Sequence, residues 1–253
     1  MNPFIVFAGT AKNVDRFIGR MLHHIDDCGA HFKSYAVVLY ENDSTDHTRQ
    51  VMEAQKKPNY HYLYETNVPG RRTEVLARGR NAILDKVLEL NAKFMVMLDL
   101  DDVNISGQFV SNIETCFSYS GWDVLAGNQK GVYYDVWALR LKGVMEVDCW
   151  KQMSLLNGEQ RQLLEKYIQT GIHFCGPGLI PVDSAFGGIA IYRVKALQGC
   201  RYKGTNEADE TCEHVEFHKD IRKNGGKIFI NTAFLNDGPM KPLPKPKVQM
   251  QLL

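Results

Sequence analysis

Three carboxylates within four residues, Asp99, Asp101 and Asp102, follow the apolar run Phe94-Met95-Val96-Met97-Leu98. A short apolar run with a β-branched residue reads as a buried strand. Aspartate is seldom buried unless paired or metal-bound, so acids at the end of such a strand demand a counter-charge. Strand geometry sets Asp99 and Asp101 on one face and turns Asp102 away. Two carboxylates on one face are hard-oxygen ligands suited to Mn²⁺ or Mg²⁺, which also take phosphate oxygens. A solvated acidic turn would carry the same letters, but the apolar run ahead of it favours a metal–diphosphate site.

Other chemistry-bearing residues flank comparable elements. The run Tyr35 to Tyr40 ends in Glu41, Asn42, Asp43, Ser44, Thr45 and Asp46. Ser44 or Thr45 can cap the helix that continues through Met52. Capping explains less of Glu41 and Asp43, and an acid after the second strand of a nucleotide-binding half is placed for ribose hydroxyls. Arg71, Arg72, Arg78 and Arg80 crowd the start of a helix that also holds Val75, Leu76, Ile83, Val87 and Leu88. The helix dipole disfavours cations there, so these arginines are either solvated or answer an anion such as a diphosphate. Gly187-Gly188, ahead of a strand from Ile189 to Tyr192, permits positive φ and the close approach of a ligand or another backbone. Thr211 to Asn224 reads as a helix capped by Thr211 and stopped at Gly225-Gly226, with Glu213 and His214 in its first turn. Acids there suit the dipole without any ligand. His214 and His218 share a helix face and could ligate metal or sit in the core.

The elements that must position these groups alternate. Phe4 to Ala8 is a strand, Gly9 to Asn13 a turn, and Val14, Phe17, Ile18, Met21, Leu22 and Ile25 keep a helical period with Asn13 as N-cap. Open α/β sheets bind ligands at strand carboxyl ends, which brings in Ala8, Gly9 and Thr10. Tyr60 to Glu65 is a further strand. The order β, α, β, α, β, α, β predicts one α/β domain with a mostly parallel sheet and helices on both faces. Trp122 to Asn128, Tyr133 to Arg140 and Lys227 to Ile230 read as strands, with a turn at Asn236-Asp237-Gly238 beyond. Residues 141–180 carry little signal. The tail Pro239 to Leu253, with prolines at 242, 244 and 246, reads as extended.

Bulk properties narrow the class. A chain of 253 residues with 44% hydrophobic content suits one large domain, here 1–238, made of the parts 1–105 and 106–238. A net charge of +1 gives no electrostatic case for nucleic acid or an anionic membrane. The six cysteines show no zinc spacing and read as reduced intracellular thiols. Without an apolar run near 18 residues or a basic secretory leader, a cytoplasmic protein without a transmembrane segment is expected.

At this point the strings "ENDSTDHT", "ARGRN" and "VMLDLDD" together resemble the nucleotide-sugar half of GT-A-fold glycosyltransferases. "YYDVWALR", "FGGIAIYR" and "CEHVEFH" are similar to the fungal capsule-associated mannosyltransferase family and related transferases of large DNA viruses. The resemblance implies a GT-A fold and metal-dependent transfer of a hexosyl group from a UDP- or GDP-linked sugar to a glycan hydroxyl. With the residue readings, it gives a donor site of Ala8, Gly9, Thr10, Glu41, Asp43, Arg71, Arg78, Asn81, Asp99, Leu100, Gly187 and Gly188. It implies Mn²⁺ or Mg²⁺ on Asp99 and Asp101, with Asp237 where the family often places a late histidine. An acid at the last helix, Glu213 or else Asp183, would deprotonate the acceptor in an inverting enzyme. Two other classes stay open: a sugar-1-phosphate nucleotidyltransferase, whose glycine-rich loop Gly9-Thr10-Ala11-Lys12 matches poorly, and a non-catalytic nucleotide- or glycan-binding module.

Overall fold

The first four strands send alternate side chains into two separate cores. In the computed structural model, which describes residues 3–129, 131–174, 176–206 and 209–238, these strands are β1 (Phe4–Ala11), β2 (Ser34–Asn42), β3 (Tyr60–Glu65) and β4 (Phe94–Leu98). Between them lie α1 (Asp15–Gly29), α2 (Thr48–Ala54) and α3 (Arg72–Glu89). Val6, Ala8, Val38, Met95 and Met97 pack with Ala77, Ile83, Leu84 and Val87 of α3. Ile5, Phe7, Val37, Leu39, Val96 and Leu98 pack with Ile18, Met21, Leu22 and Ile25 of α1 and Met52 of α2. Burial on both faces is why these strands read as unbroken apolar runs. They pair in parallel in the order β3-β2-β1-β4.

The second half extends the same sheet. It contributes α4 (Gln108–Asn112), β5 (Val124–Gln129), α5 (Cys149–Ser154), α6 (Gly158–Phe174), β6 (Leu179–Pro181) and β7 (Ile189–Arg193). A two-residue pair, β8 (Thr205–Asn206) and β9 (Asp209–Glu210), precedes α7 (Glu213–Lys223) and β10 (Ile228–Asn236). The eight-stranded sheet runs β3-β2-β1-β4-β7-β5-β10-β6, with β7 and β6 antiparallel to their neighbours. The expected mostly parallel sheet, covered on both faces, is what the chain builds. Among the described residues no helix is long and apolar enough to cross a membrane.

Several local expectations are corrected. Tyr133 to Leu139 is a loop, because side chains take the hydrogen bonds a neighbouring strand would have supplied, and it ends in an antiparallel bridge between Arg140 and Ser184. Gln169 bonds both the N–H and the carbonyl of Tyr133 at 2.8 Å, and Asp135 accepts from Ala138 N–H. Asn13 is not the cap of α1; its φ is +55°, and its side chain accepts from Thr45 N–H at 2.8 Å, tying the β1 turn to the β2 turn. At α2 it is Asp46, not Ser44 or Thr45, that accepts from the first helical N–H, that of Thr48 at 2.9 Å. The helix α7 starts after Cys212, past Thr211. The helices α5 and α6 fill the stretch with little sequence signal, and β10 runs on to Asn236 through a register shift after Ile230. Pro239 to Leu253 and Cys175 lie outside the described residues.

Close packing of α3 on β2 generates a test. A methyl group at Gly79 would lie 2.5 Å from the Tyr40 ring, which is itself fixed by donating its hydroxyl to Glu65 at 2.6 Å. Helix propensity alone predicts that Gly79→Ala stabilises by about 1 kcal/mol. Overpacking should win, so urea denaturation is expected to show a net loss of about 1–3 kcal/mol. A gain would mean that α3 does not sit this close to the strand.

Candidate active site

Because β1, β2 and β4 run parallel, their carboxyl ends reach one edge of the sheet, where such folds bind ligands. A cavity of about 710 Å³ opens there. Thr10 and Ala11 of β1, Asn42 of β2, and Asp99, Leu100 and Asp101 beyond β4 form one side. Arg72, Val75, Leu76 and Arg80 line it from α3. Tyr134, Asp135 and Trp137 from the loop after β5, Trp150 of α5, Phe186, and Cys212 to His214 at the start of α7 complete it.

The acids are held from several directions. Asp99 donates its N–H to the Gly188 carbonyl at 2.9 Å. Its carboxylate accepts from the Tyr134 hydroxyl at 3.1 Å and lies 3.5 Å from Arg80 Nη2. Asn104 Nδ2 ties the Asp99 and Gly188 carbonyls together, at 2.9 Å each. Asp101 accepts from Val103 N–H at 3.2 Å, which starts a short 3-10 turn. Asp135 accepts from Gly187 N–H at 3.0 Å. Gly187 and Gly188 have φ of +65° and +79°, and a methyl group on Gly187 would meet the Gly127 carbonyl at 2.5 Å. One glycine pair thus offers an N–H to one acid and a carbonyl to another, in a backbone that only glycine adopts readily.

Burial pushes the carboxyl groups of Asp99 and Asp135 above the usual range. Burial, and then the Asp99 charge, push Asp101 up to about 7. Asp99 and Asp101 are hard oxygen donors in a partly desolvated place, chemistry that suits Mg²⁺ or Mn²⁺. Among the described residues, no three His, Cys, Asp or Glu side chains form a ready cage. A cation held by Asp99 and Asp101 would therefore share its remaining positions with a ligand, as Mg²⁺ does with phosphates.

A second cluster surrounds Arg80, which is 4% exposed. Its guanidinium pairs with the Glu213 carboxylate, approaches Asp99, and lies over the Phe186 ring at 5.3 Å. A buried guanidinium needs such partners, so Glu213 is engaged as a counter-ion. The next residue, His214, stacks on Phe186 with ring centroids 3.9 Å apart. Neither of its ring nitrogens has a hydrogen-bond partner. An orphaned buried polar group costs about 1–3 kcal/mol. Burial and the neighbouring Arg80 push its pKa well below the ordinary value, so the ring is neutral.

Of the sequence-predicted residues, the cavity gathers Thr10, Asp99, Leu100, Asp101 and Glu213. Ala8 and Gly9 lie within β1 and outside the lining; a methyl group on Gly9 would meet the Leu98 carbonyl at 2.7 Å. Glu41 is paired with Arg49 at 2.6 Å, and Asp43 accepts from Asn67 and Val68 N–H in the loop after β3. Arg71 and Arg78 face outward onto Glu74 and Glu65, while Arg72 and Arg80 turn inward. Asn81 clamps the Tyr202 backbone with two 2.9 Å bonds. Asp183 is exposed and paired with Arg222 at 2.8 Å; Asp237 accepts from Ser106 N–H at 2.8 Å. Gly187 and Gly188 are buried behind the acids rather than in the lining. Sequence reasoning missed Tyr134, Asp135, Trp137, Trp150 and Phe186, although an acid and two aromatic residues in one short run, 134–137, was a usable signal.

No protein-family model and no curated protein sequence matches the chain. Solved structures share its fold. The mannosyltransferase PcManGT of Pyrobaculum calidifontis, in complex with GDP-Man and Mn²⁺, has 13% identity and a TM-score of 0.58 over 98% of this chain and 59% of its own. TarS of S. aureus, in complex with UDP-GlcNAc, has 18% identity and a TM-score of 0.53 over 92% of this chain and 57% of its own. Glucosyl-3-phosphoglycerate synthase of Mycobacterium tuberculosis, with Mn²⁺, UDP and phosphoglyceric acid, has 12% identity and a TM-score of 0.55 over 95% and 72%. This chain spans little more than half the length of the first two. The likeness establishes the GT-A fold.

The raised Asp101 carboxyl makes a stability prediction with a defined sign. A folded-state pKa near 7 means that the acid contributes favourably only while protonated, a contribution lost as pH rises toward 7. Asp101→Asn mimics the protonated form and keeps the acceptor for Val103. In EDTA, its melting temperature should match wild type near pH 4, exceed it increasingly as pH rises, and level off above about pH 7. A variant less stable than wild type at pH 8 would refute an electrostatically crowded site.

Proposed function

We propose that this chain is a metal-dependent glycosyltransferase that moves a hexosyl group from a UDP- or GDP-linked sugar to a glycan hydroxyl. One observation carries the reading: Asp99 and Asp101, at the carboxyl end of the buried central strand, share a cavity with Arg72 and Arg80. In this reading Asp99 and Asp101 hold Mn²⁺ or Mg²⁺, which when bound supplies Lewis acidity and positive charge to the diphosphate. Tyr134 and Arg80 fix the Asp99 carboxylate so that it need not reorganise. Arg72, exposed at the cavity mouth, adds charge beside the departing diphosphate. Thr10, Ala11 and Asn42, at the ends of β1 and β2, receive the nucleoside.

Residues 1–105 thus form the donor side, and 106–238 bring the aromatic wall of Trp137, Trp150 and Phe186, whose faces suit sugar rings. Glu213 acts by holding Arg80 in place. PcManGT with GDP-Man and Mn²⁺, and the synthase with UDP and Mn²⁺, support a nucleotide-sugar donor and a metal here. The narrower kinship to fungal mannosyltransferases and large-DNA-virus transferases belongs to the same proposal. All three of its strings supply the cavity: Tyr134, Asp135 and Trp137 from the first, Phe186 from the second, and Cys212, Glu213 and His214 from the third. A cytoplasmic site fits the buried, unbridged thiols of Cys28, Cys116, Cys149, Cys200 and Cys212.

Nucleoside diphosphate release from a panel of UDP- and GDP-sugars, with mixed glycan acceptors, tests the reading. Release from one donor should need Mn²⁺ or Mg²⁺, stop in EDTA, and fall by about 10²–10³-fold in Asp101→Ala, the scale of losing one preorganised electrostatic group. Release that survives both EDTA and the substitution would exclude the proposed site.

A further inference from the structure

Two histidines one turn apart on α7 have opposite fates. His218 is fully partnered: Ser184 Oγ lies 2.9 Å from its Nδ1 and the Tyr192 hydroxyl 3.1 Å from its Nε2. His214 is 2% exposed and has a partner at neither nitrogen. Buried polar groups in folded proteins are nearly always hydrogen-bonded, so a ring with two orphans needs an explanation. Its surroundings offer none. Phe186 covers one face, and Tyr202 meets it nearly perpendicular at 5.7 Å. The closest carboxylate oxygen, Glu213 Oε1, is 3.9 Å away and engaged with Arg80. The ring does, however, line the cavity that holds Asp99 and Asp101.

The chemistry of the missing partner follows from the ring. A neutral imidazole presents one N–H donor and one bare acceptor nitrogen. A phosphate oxygen would satisfy only the donor, and a metal only the acceptor. His214 also belongs to no ligand-bearing group of three among the described residues. Sugar hydroxyls donate and accept, so they satisfy both. The stack on Phe186 fixes the plane in which those bonds point, and Arg80 nearby disfavours the imidazolium.

We propose that His214 is a specificity residue that hydrogen-bonds hydroxyl groups of a sugar bound in the cavity, through the two ring nitrogens the protein leaves unpartnered. The proposal rests on the donor-site reading above. The sugar is either the transferred hexosyl group or the acceptor, which share this chemistry.

The test combines His214→Phe, which keeps the stack and deletes both nitrogens, with UDP- and GDP-sugars and glycan acceptors lacking single hydroxyls. Thermal stabilisation by UDP or GDP with Mn²⁺ should be the same in wild type and variant. Transfer should fall about 10–100-fold in kcat/KM, and wild type should discriminate by a similar factor against one deoxy compound that the variant accepts as well as its parent. Loss of discrimination in the donor series assigns the contact to the transferred sugar, and in the acceptor series to the acceptor. A variant that keeps wild-type rates and discrimination overturns the proposal while the nucleotide site stands. Absence of any UDP or GDP effect on wild type overturns the donor-site reading and this proposal with it. If phenylalanine disturbs α7, His214→Gln, which returns one donor and one acceptor, carries the same comparison. Altered discrimination then supports the contact, and unchanged discrimination refutes it.

Discussion

Negative charge gathered at the end of a buried strand is the constraint around which the rest of the structure is arranged. β4 is fully buried between β1 and β7, yet it delivers Asp99 and Asp101 directly into the cavity. Asp135 and Glu213 add two more carboxylates from distant parts of the chain. Arg80 offsets part of this charge from within α3, bridging Glu213 and Asp99. Removing either partner of such a buried pair would strand the other at about 3–5 kcal/mol. Burial first, and then the neighbouring Asp99 charge, push the Asp101 carboxyl upward, so a cation at this edge would relieve both carboxylates.

The same demand explains the irregular backbone of the second half of the chain. Antiparallel β7 sits against β4, so the Gly187-Gly188 turn that precedes it lies beside Asp99. The loop at 133–139 gives up strand pairing and thereby brings Tyr134 to Asp99, Asp135 to the Gly187 N–H and Trp137 to the cavity. Asp148 then organises the aromatic wall. Its carboxylate accepts from the Trp137 indole N–H at 2.8 Å and from Trp150 N–H at 3.0 Å, where it caps α5. The strand pairing lost in this loop is offset by side-chain hydrogen bonds that hold Asp99, Asp135 and Trp137 in place.

The first half of the fold was legible because parallel strands buried on both faces leave contiguous apolar runs separated by amphipathic helices. The acids after β4 stood out for the same reason. The phase of α3 was not legible from its arginines: Arg71, Arg72, Arg78 and Arg80 are chemically alike, and only Glu74 and Glu65 show which pair is held outside. Alternating aromatic residues made 133–140 look like a strand, since the hydrogen bonds that make most of it a loop come from Gln169 to Tyr133 and from Ala138 N–H to Asp135. The helix α6 was obscured because Leu163 and Tyr167 are exposed and blur its apolar stripe. His214 read as a metal ligand or a core histidine, because a lack of partners at both nitrogens is visible only in three dimensions.

The central claim is that Asp99 and Asp101 form a metal–diphosphate site. The most direct measurement is a Mn²⁺ titration followed by electron paramagnetic resonance, with and without UDP or GDP, in wild type and Asp101→Asn. The account predicts one Mn²⁺ per chain, bound more tightly with the nucleoside diphosphate present and lost in the variant. Equal Mn²⁺ binding by wild type and variant, or binding indifferent to the nucleotide, would contradict it.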